Sequence, residues 1–454
     1  MVVKIVIVGA GSVVFSKNLL ADILSYPELR DATIALHDVD ADRLATAQRL
    51  AGYVAERAGA HPRIQADLDR RKLLPGADFV ITTVLVGGHR AAELDFDVPA
   101  RHGIQYTMAD TVGVGGIMRA LRTLPVVLEL AEQMEELCPN AWLFNYTNPM
   151  SILCWAVARA SRIKVLGLCH SVYWTIHELA EWLGVPMDQV SSLSAGINHL
   201  AWVLRLEHQG EDLYPRLRAM VEAGEIPADE LVRAETFRYV GYYPTEASSH
   251  HAEYVPYYLQ HADEVRRLRV PLREFLRRNQ SRMGQYEETR RQLAAGEEIA
   301  IEPSSEYAAE IIHSMLTGRP AEIVGNVMND EALISNLPRA ANVEVPCLVN
   351  GLGVTPVAVG ALPPQCAALI HPLIALQDLT VQGVLEEDSE KIYRAALLDP
   401  VLTAQLPLPR IWEMLDDVIA AEAEWMPGWL HADRIRSHSV RTIDRPIDDR
   451  RTAP

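Results

Sequence analysis

From residue 3 the chain alternates short apolar runs with longer stretches of helical periodicity. KIVIV is apolar at every position after Lys4, as expected of a strand covered on both faces, and it breaks at GAGS into a segment that reads as a helix. TIALHDVD (33–40) predicts a second strand, with Asp40 as N-cap of the amphipathic run DRLATAQRLAGYVAERAG. ADFVITTVLVGG (77–88) predicts a third buried strand, GGIMRALRTLPVVLELAEQMEELCP a helix, and WLFNYTNP (142–149) a fourth strand ending in a polar turn. Helix SILCWAVARAS and strand IKVLGLCH follow. Such alternation predicts an α/β fold with a doubly wound parallel sheet and ligands at the carboxyl ends of its strands.

After about residue 195 the alternation stops. AGINHLAWVLRLE reads as one strand, and charged helices joined by Gly/Pro-rich connections surround it. The expected division is therefore a nucleotide-type domain over 1–195, an α+β domain over 196–432 that serves substrate, metal and oligomerisation, and a flexible tail over 433–454 that is poor in apolar residues. The apolar region LVNGLGVTPVAVGALPPQCAALIHPLIAL is broken throughout by Gly and Pro, which predicts buried core and not a bilayer segment.

Composition narrows the function. A chain of 454 residues, 49% hydrophobic and 22% charged, can bury a large core. Its formal net charge of −18 argues against nucleic acid or an anionic membrane as partner, since phosphate binding is driven by clustered Lys and Arg. Five cysteines, at 138, 154, 169, 347 and 366, show no paired spacing, so a reducing cytoplasm is expected. MVVKIVIVGAG is broken by glycine too early for a signal peptide.

GAGSVVF (9–15) carries the first candidate chemistry. Gly9 permits a tight turn, Gly11 lets the backbone approach a pyrophosphate, and Val14 stands where a third glycine is usual. Asp38, at the end of the second strand, would bind a ribose hydroxyl and repel a 2′-phosphate, favouring NAD over NADP; an ordinary turn and an N-cap are the plain alternatives. Asn145 and Asn148 flank the turn after the fourth strand, where their amides could hold a ribose or a sugar, or only shape an Asn-Pro turn. Cys169 and His170 end a strand, and His199 is another polar residue in an apolar run. Thiolate and imidazole suit a divalent transition metal, against the alternative of a buried thiol and core histidines.

Taken in order, GAGS, ADTVGVGGIMRALRTLP (109–125), NYTNPM, GLCHSV, AGINHLAW, TEASSHHAEYVPYY (245–258) and WMPGWLH (425–431) give the chain a resemblance to glycoside hydrolase family 4, closest to its α-galactosidase members. That family departs from the two-carboxylate rule of glycosidases. The resemblance implies a Rossmann-like domain of the lactate/malate dehydrogenase type followed by an α+β domain. It also implies cofactor contacts from Gly9, Gly11, Ser12, Phe15, Asp38, Thr83 and Asn145, and substrate contacts from Asn148 and Arg119. Cys169 and His199 would hold a divalent ion, usually manganese. Bound NAD would oxidise C3 of the sugar, a base would take the proton on C2, the aglycone would leave, water would add and the hydride would return, with no net redox change. Tyr254 matches the base, Asp110 the acidic residue that raises its basicity, and His170 is a candidate acid for the leaving group or a sugar contact. The CHSV form points to galactose, and the lack of an Arg near Ala92 to an unphosphorylated sugar. An α-glucoside or galacturonide, a lactate- or malate-type dehydrogenase, and a non-catalytic NAD-binding module are the rival readings. A homodimer or homotetramer is implied by resemblance alone.

Overall fold

The apolar runs without alternation form a parallel sheet buried on both faces. In the structure, a computed structural model that describes residues 2–302, 304 and 306–430, these strands are β1 (Lys4–Val8), β2 (Thr33–His37), β3 (Arg63–Ala66), β4 (Phe79–Thr82), β5 (Trp142–Asn145) and β6 (Lys164–Gly167). The tail expected over 433–454 lies outside the described residues. All six pair in parallel in the order β3-β2-β1-β4-β5-β6. Because the chain runs outward in both directions from β1 and β4, a crevice opens beyond their carboxyl ends, where such sheets bind nucleotides.

KIVIV forms in full, but the later strands are shorter than the runs that predicted them. ADFVITTVLVGG, for example, contributes only Phe79–Thr82, and its last residues turn into the helix Gly88–Arg101. Asp40 caps the helix Ala41–Ala58 as its position predicts, accepting from the Asp42 and Arg43 amides at 2.9 and 3.0 Å. β3 has no buried residue, which is why no apolar signal marked it.

Beyond β6 the sheet continues without a break. β7 (Val190–Ile197), β8 (Leu200–His208), β9 (Glu211–Asp212), β10 (Tyr243–Pro244), β11 (Ala321–Met328), β12 (Asn342–Asn350) and β13 (Gly353–Pro356) extend it antiparallel, in the order β6-β11-β12-β7-β8-β10, with β13 on β12 and β9 on β8. The single strand expected over AGINHLAWVLRLE is a hairpin: Ile197 pairs with Leu200, so Asn198 and His199 form the turn, with His199 in the left-handed region at φ 64°. Two polar residues between apolar flanks are a weak turn signal without glycine, and the alternation hid it. The apolar region expected to be core is so only in part: the helix Pro364–Leu385 buries Cys366, Ile370, Leu373, Ile374 and Leu376, whereas the end of β12 and the loops around β13 leave Leu348, Leu352 and Val357 exposed.

The second half also returns to the first. The helix Glu274–Ala295 packs on the helices Val13–Ser25, Ala41–Ala58 and Gly88–Arg101. Arg49 donates to the Leu293 carbonyl at 2.8 Å, and Arg43 lies 4.4 Å above the ring of Tyr286. A buried ion cluster fastens the carboxyl-terminal segment: Arg122 donates to both Asp95 oxygens, at 2.5 and 3.0 Å, and to Glu422 at 2.7 Å. Burial and the neighbouring Asp95 push the Glu422 carboxyl up, despite Arg122. Replacing Arg122 with Leu leaves buried carboxyl groups without their cation and is expected to cost about 3–5 kcal/mol. Glu422→Gln, which copies the protonated form, should cost about 1 kcal/mol or less; urea unfolding of both variants checks the contrast.

Candidate active site

The loop after β1 forms the nucleotide side of the crevice. Gly9 has φ 91°, and its carbonyl accepts from the Thr83 hydroxyl at 2.9 Å, tying the ends of β1 and β4 together. Gly11 donates its amide to Asp38 Oδ2 at 2.8 Å, and a side chain there would put a carbon 2.6 Å from that oxygen. The glycine is thus required by the carboxylate as well as by any pyrophosphate. Asp38 Oδ1 accepts from the Asp40 amide at 3.0 Å. Ser12 is the exposed N-cap of the helix Val13–Ser25 and makes no side-chain cap bond, which leaves its hydroxyl and the first amides of the helix open to an anion. Phe15 packs edge-on against Tyr146 with centroids 4.8 Å apart. Asn145 ends β5 and braces its own turn, accepting from Thr82 at 2.8 Å and donating to the Thr147 carbonyl at 2.9 Å.

Past the adjoining strand ends lies the sulfur–imidazole pair. Cys169 follows β6, His199 sits at the β7–β8 turn, and the fold brings Cys169 Sγ to 3.4 Å from His199 Nε2. Thr111 Oγ1 lies 3.2 Å from His199 Nδ1, leaving Nε2 for the thiol side. Burial lowers His199 to about 4, so its imidazole is neutral, the form that ligates metals. Burial, with Glu246 and Glu344 nearby, pushes the Cys169 thiol well up, so a thiolate here needs a cation beside it. Neutral imidazole and a thiol lacking a counter-cation fit a divalent ion.

Asp110 is the meeting point on the other side. It accepts from Thr111 Oγ1 at 3.0 Å and from Asn148 Nδ2 at 3.1 Å, with His250 Nε2 at 3.6 Å and Arg119 at 4.0 Å. Burial alone would raise its pKa, but His250 and Arg119 outweigh burial and hold the carboxyl well below its ordinary range. Four residues around this carboxylate hold buried polar atoms without a hydrogen-bond partner: Arg119 (Nε and Nη2), Asn148 (Oδ1), Tyr254 (its hydroxyl) and His250, whose ring nitrogens make only ion-pair contacts. Donors and acceptors left open together match a ring bearing several hydroxyls. Burial and the Asp110 charge push the Tyr254 phenol well above its usual value, against a smaller pull from Thr111. His170, the N-cap of the helix Ser171–Leu183, is half exposed at the mouth, with Nδ1 2.9 Å from Glu306 Oε1. Burial would lower it, but Glu306 outweighs burial and its pKa is raised.

The structure thus brings Asn148 and Arg119 to Asp110, and Cys169 and Tyr254 to His199, with Thr111 bridging Asp110 and His199 and His170 beside Glu306. Sequence reasoning passed over Glu246, His250 and Glu253, all within TEASSHHAEY. Glu246 reaches both histidines, with Oε1 3.2 Å from His250 Nδ1 and Oε2 3.8 Å from His199 Nε2. Against burial, those histidines hold its carboxyl well below the ordinary range, while two carboxylates lift His250 to about 10 despite its burial. Glu253 accepts from the amides of Thr107, Met108 (2.6 Å) and Ala109 (3.0 Å), fixing the loop that presents Asp110. Its neighbour Tyr254 drew attention first; the i, i+4 spacing of Glu246 and His250 was the available signal.

The family model "Family 4 glycosyl hydrolase" matches residues 4–185, and "Family 4 glycosyl hydrolase C-terminal domain" matches residues 194–402. The chain belongs to glycosyl hydrolase family 4. An alpha-galactosidase of Bacillus subtilis (strain 168) is 40% identical over 94% of this chain and 99% of its own length. An alpha-galactosidase of Rhizobium meliloti (strain 1021) is 33% identical, covering 94% and 90%. Among solved structures, a 6-phospho-alpha-glucosidase from gut microorganisms, in complex with NAD and Mn2+, superposes with a TM-score of 0.80 over 94% of this chain and 99% of that one, at 20% identity. That likeness is one of fold. Within this family 4 site, Glu253→Ala should leave three buried amides without an acceptor. The expected result is a stability loss of about 1–3 kcal/mol and a lower kcat, with metal affinity kept, read by thermal melts and initial rates.

Proposed function

We propose that this chain hydrolyses α-galactosides bearing no phosphate, through transient oxidation of the sugar at C3, loss of the C2 proton, departure of the aglycone, addition of water and return of the hydride. The observation that carries the reading is the set of unpartnered buried groups on Arg119, Asn148 and Tyr254, gathered at Asp110 beside the Cys169–His199 pair and next to a nucleotide crevice. The galactosidase relatives support the choice of sugar. When bound, NAD supplies a reversible hydride acceptor, and the divalent ion supplies positive charge beside the reacting hydroxyls.

The chain's own residues do the rest in this reading. Gly9, Gly11, Ser12 and Phe15 shape the cofactor loop, with Asp38 toward a ribose, while Thr83 and Asn145 hold the neighbouring strand ends. Cys169 and His199 hold the ion. Asn148 and Arg119 orient sugar hydroxyls, and Tyr254 takes the C2 proton. Asp110 keeps negative charge next to that phenol, which strengthens it as a base once ionised. His170, its proton stabilised by Glu306, donates to the leaving oxygen at the open side of the site. Residues 1–195 would then form the cofactor half, and 196–432 would bring the base and the second metal ligand. The net charge and five free cysteines support a cytoplasmic enzyme without nucleic-acid or membrane partners; we carry the homodimer or homotetramer as part of the same proposal.

Release of nitrophenol from p-nitrophenyl α-galactoside should need both NAD and Mn2+, and should exceed that from the α-glucoside and α-galacturonide. Run in D2O, the galactose formed should carry deuterium at C2. Turnover by protein stripped of both cofactors, with no deuterium gained, would overturn the mechanism, while preference for another glycoside would overturn only the sugar. A second expectation concerns pH. Because Glu306 raises the His170 pKa and the acid must be protonated, activity is lost as pH rises through that pKa. Glu306→Gln should therefore move the alkaline limb of the rate profile to lower pH, and an unmoved limb would remove His170 from the acid role.

A further inference from the structure

Two groups of potential ligands meet at His199: Asp110 and His250 on the side of the ring held by Thr111, and on the Nε2 side Cys169 with a residue outside the expected pair. Cys169 Sγ, His199 Nε2 and a Glu246 carboxylate oxygen all lie within 4.8 Å of one another. The sulfur–nitrogen separation is 3.4 Å and the nitrogen–oxygen separation 3.8 Å. Ligands at about 2.0–2.3 Å from a common ion sit about 3–4 Å from each other, so these spacings leave a vertex for one cation. We propose that Glu246 is a third protein ligand of the divalent ion, binding through Oε2, and that His250 orients it by holding Oε1.

Three further features converge on that assignment. The first is how Glu246 is held: its backbone is in the left-handed region at φ 69°, and its amide donates to Thr175 Oγ1 at 3.1 Å, so the carboxylate is aimed by a fixed main chain. A non-glycine residue in that region stores strain that surrounding structure must impose. Second, the two carboxylate oxygens have divided roles, Oε1 at 3.2 Å from His250 Nδ1 and Oε2 turned to His199, the pattern in which an outer group orients a ligating one. Chemistry gives the third. A thiolate with one neutral imidazole is a soft, singly charged set, whereas adding a carboxylate brings a hard oxygen and balances the charge of a divalent ion, which suits manganese far better.

The inference rests on the metal-dependent reading of this family, and the test separates the two. Full-length protein with saturating NAD and no sugar is titrated with MnCl2, and free Mn2+ is counted by its EPR signal, so no turnover is involved. Glu246→Gln should weaken Mn2+ binding about tenfold or more, at least the loss that removing an outer-shell partner gives, while His250→Gln, whose side-chain amide can still donate to Oε1 and keep the carboxylate oriented, should change it about threefold or less. Unchanged affinity in Glu246→Gln, with affinity lost in Cys169→Ser, would overturn the proposal and keep the metal site. Equal losses in Glu246→Gln and His250→Gln would also overturn it, because Glu246 would then act only through its histidine. Unchanged affinity in Cys169→Ser would instead sink the metal reading itself. NAD binding by each variant reports folding; if Glu246→Gln fails there, Glu246→Asp takes its place, its shorter reach again expected to cost about tenfold and wild-type affinity counting against the proposal.

Discussion

A carboxylate taken out of water costs several kcal/mol unless other groups replace its hydration, and Asp110 imposes that requirement on this molecule. Each replacement comes from a different part of the chain: Asn148 from the turn after β5, Arg119 from the helix Gly113–Leu137, and His250 from the short helix Ser248–Tyr254. Satisfying one buried charge therefore sets the relative positions of the nucleotide half and the substrate half. The mutual placement of Asn148, Arg119 and His250 thus follows from an electrostatic constraint at one residue. The glycines of GVGG belong to the same arrangement, because a Cβ on Gly116 would lie 2.4 Å from the Thr111 carbonyl carbon.

Beneath the metal pair, Gly167, Asn326, Glu344 and Gly196 stand in one row across β6, β11, β12 and β7. The floor is polar as well as buried. Glu344 accepts from Asn326 at 3.0 Å and from Asn198 at 3.5 Å, and burial pushes it up to about 7 in spite of both bonds. Asn198 is one residue from His199, so this network steadies the turn that carries the ligand. A stiff polar floor gives a metal site its orientation where a purely apolar one would leave the imidazole free to rotate.

How much of this was legible in the sequence depended on the range of the interactions involved. Local signals read well: KIVIV, GAGS and the Asp40 cap depend on neighbours a few residues away, and they form as expected. Cys169 and His199 could be nominated because soft or aromatic nitrogen-bearing side chains are unusual at strand ends, yet only the fold puts them in contact. Glu246 and His250 were hidden in plain view, in a motif rich in aromatic and polar residues where six tyrosines between 239 and 258 competed for attention. Strand β3 was illegible for the opposite reason, since an edge strand with no buried residue has no apolar pattern to show. Continuity of the sheet past residue 195 was beyond any local reading, because it depends on β11 and β12, more than a hundred residues later in the chain.

That late insertion has a consequence for how the site comes into being. β7 is not hydrogen-bonded to β6; it joins the sheet through β12, and β12 through β11. During synthesis the ribosome releases Cys169 and His199 only thirty residues apart, but the hairpin bearing the histidine has no seat until residue 350 or so has emerged. The cofactor loop, by contrast, is finished within the first strands. The order in which the chain emerges therefore presents the strand ends of the parallel half before the pairing that seats His199 beside Cys169 can form.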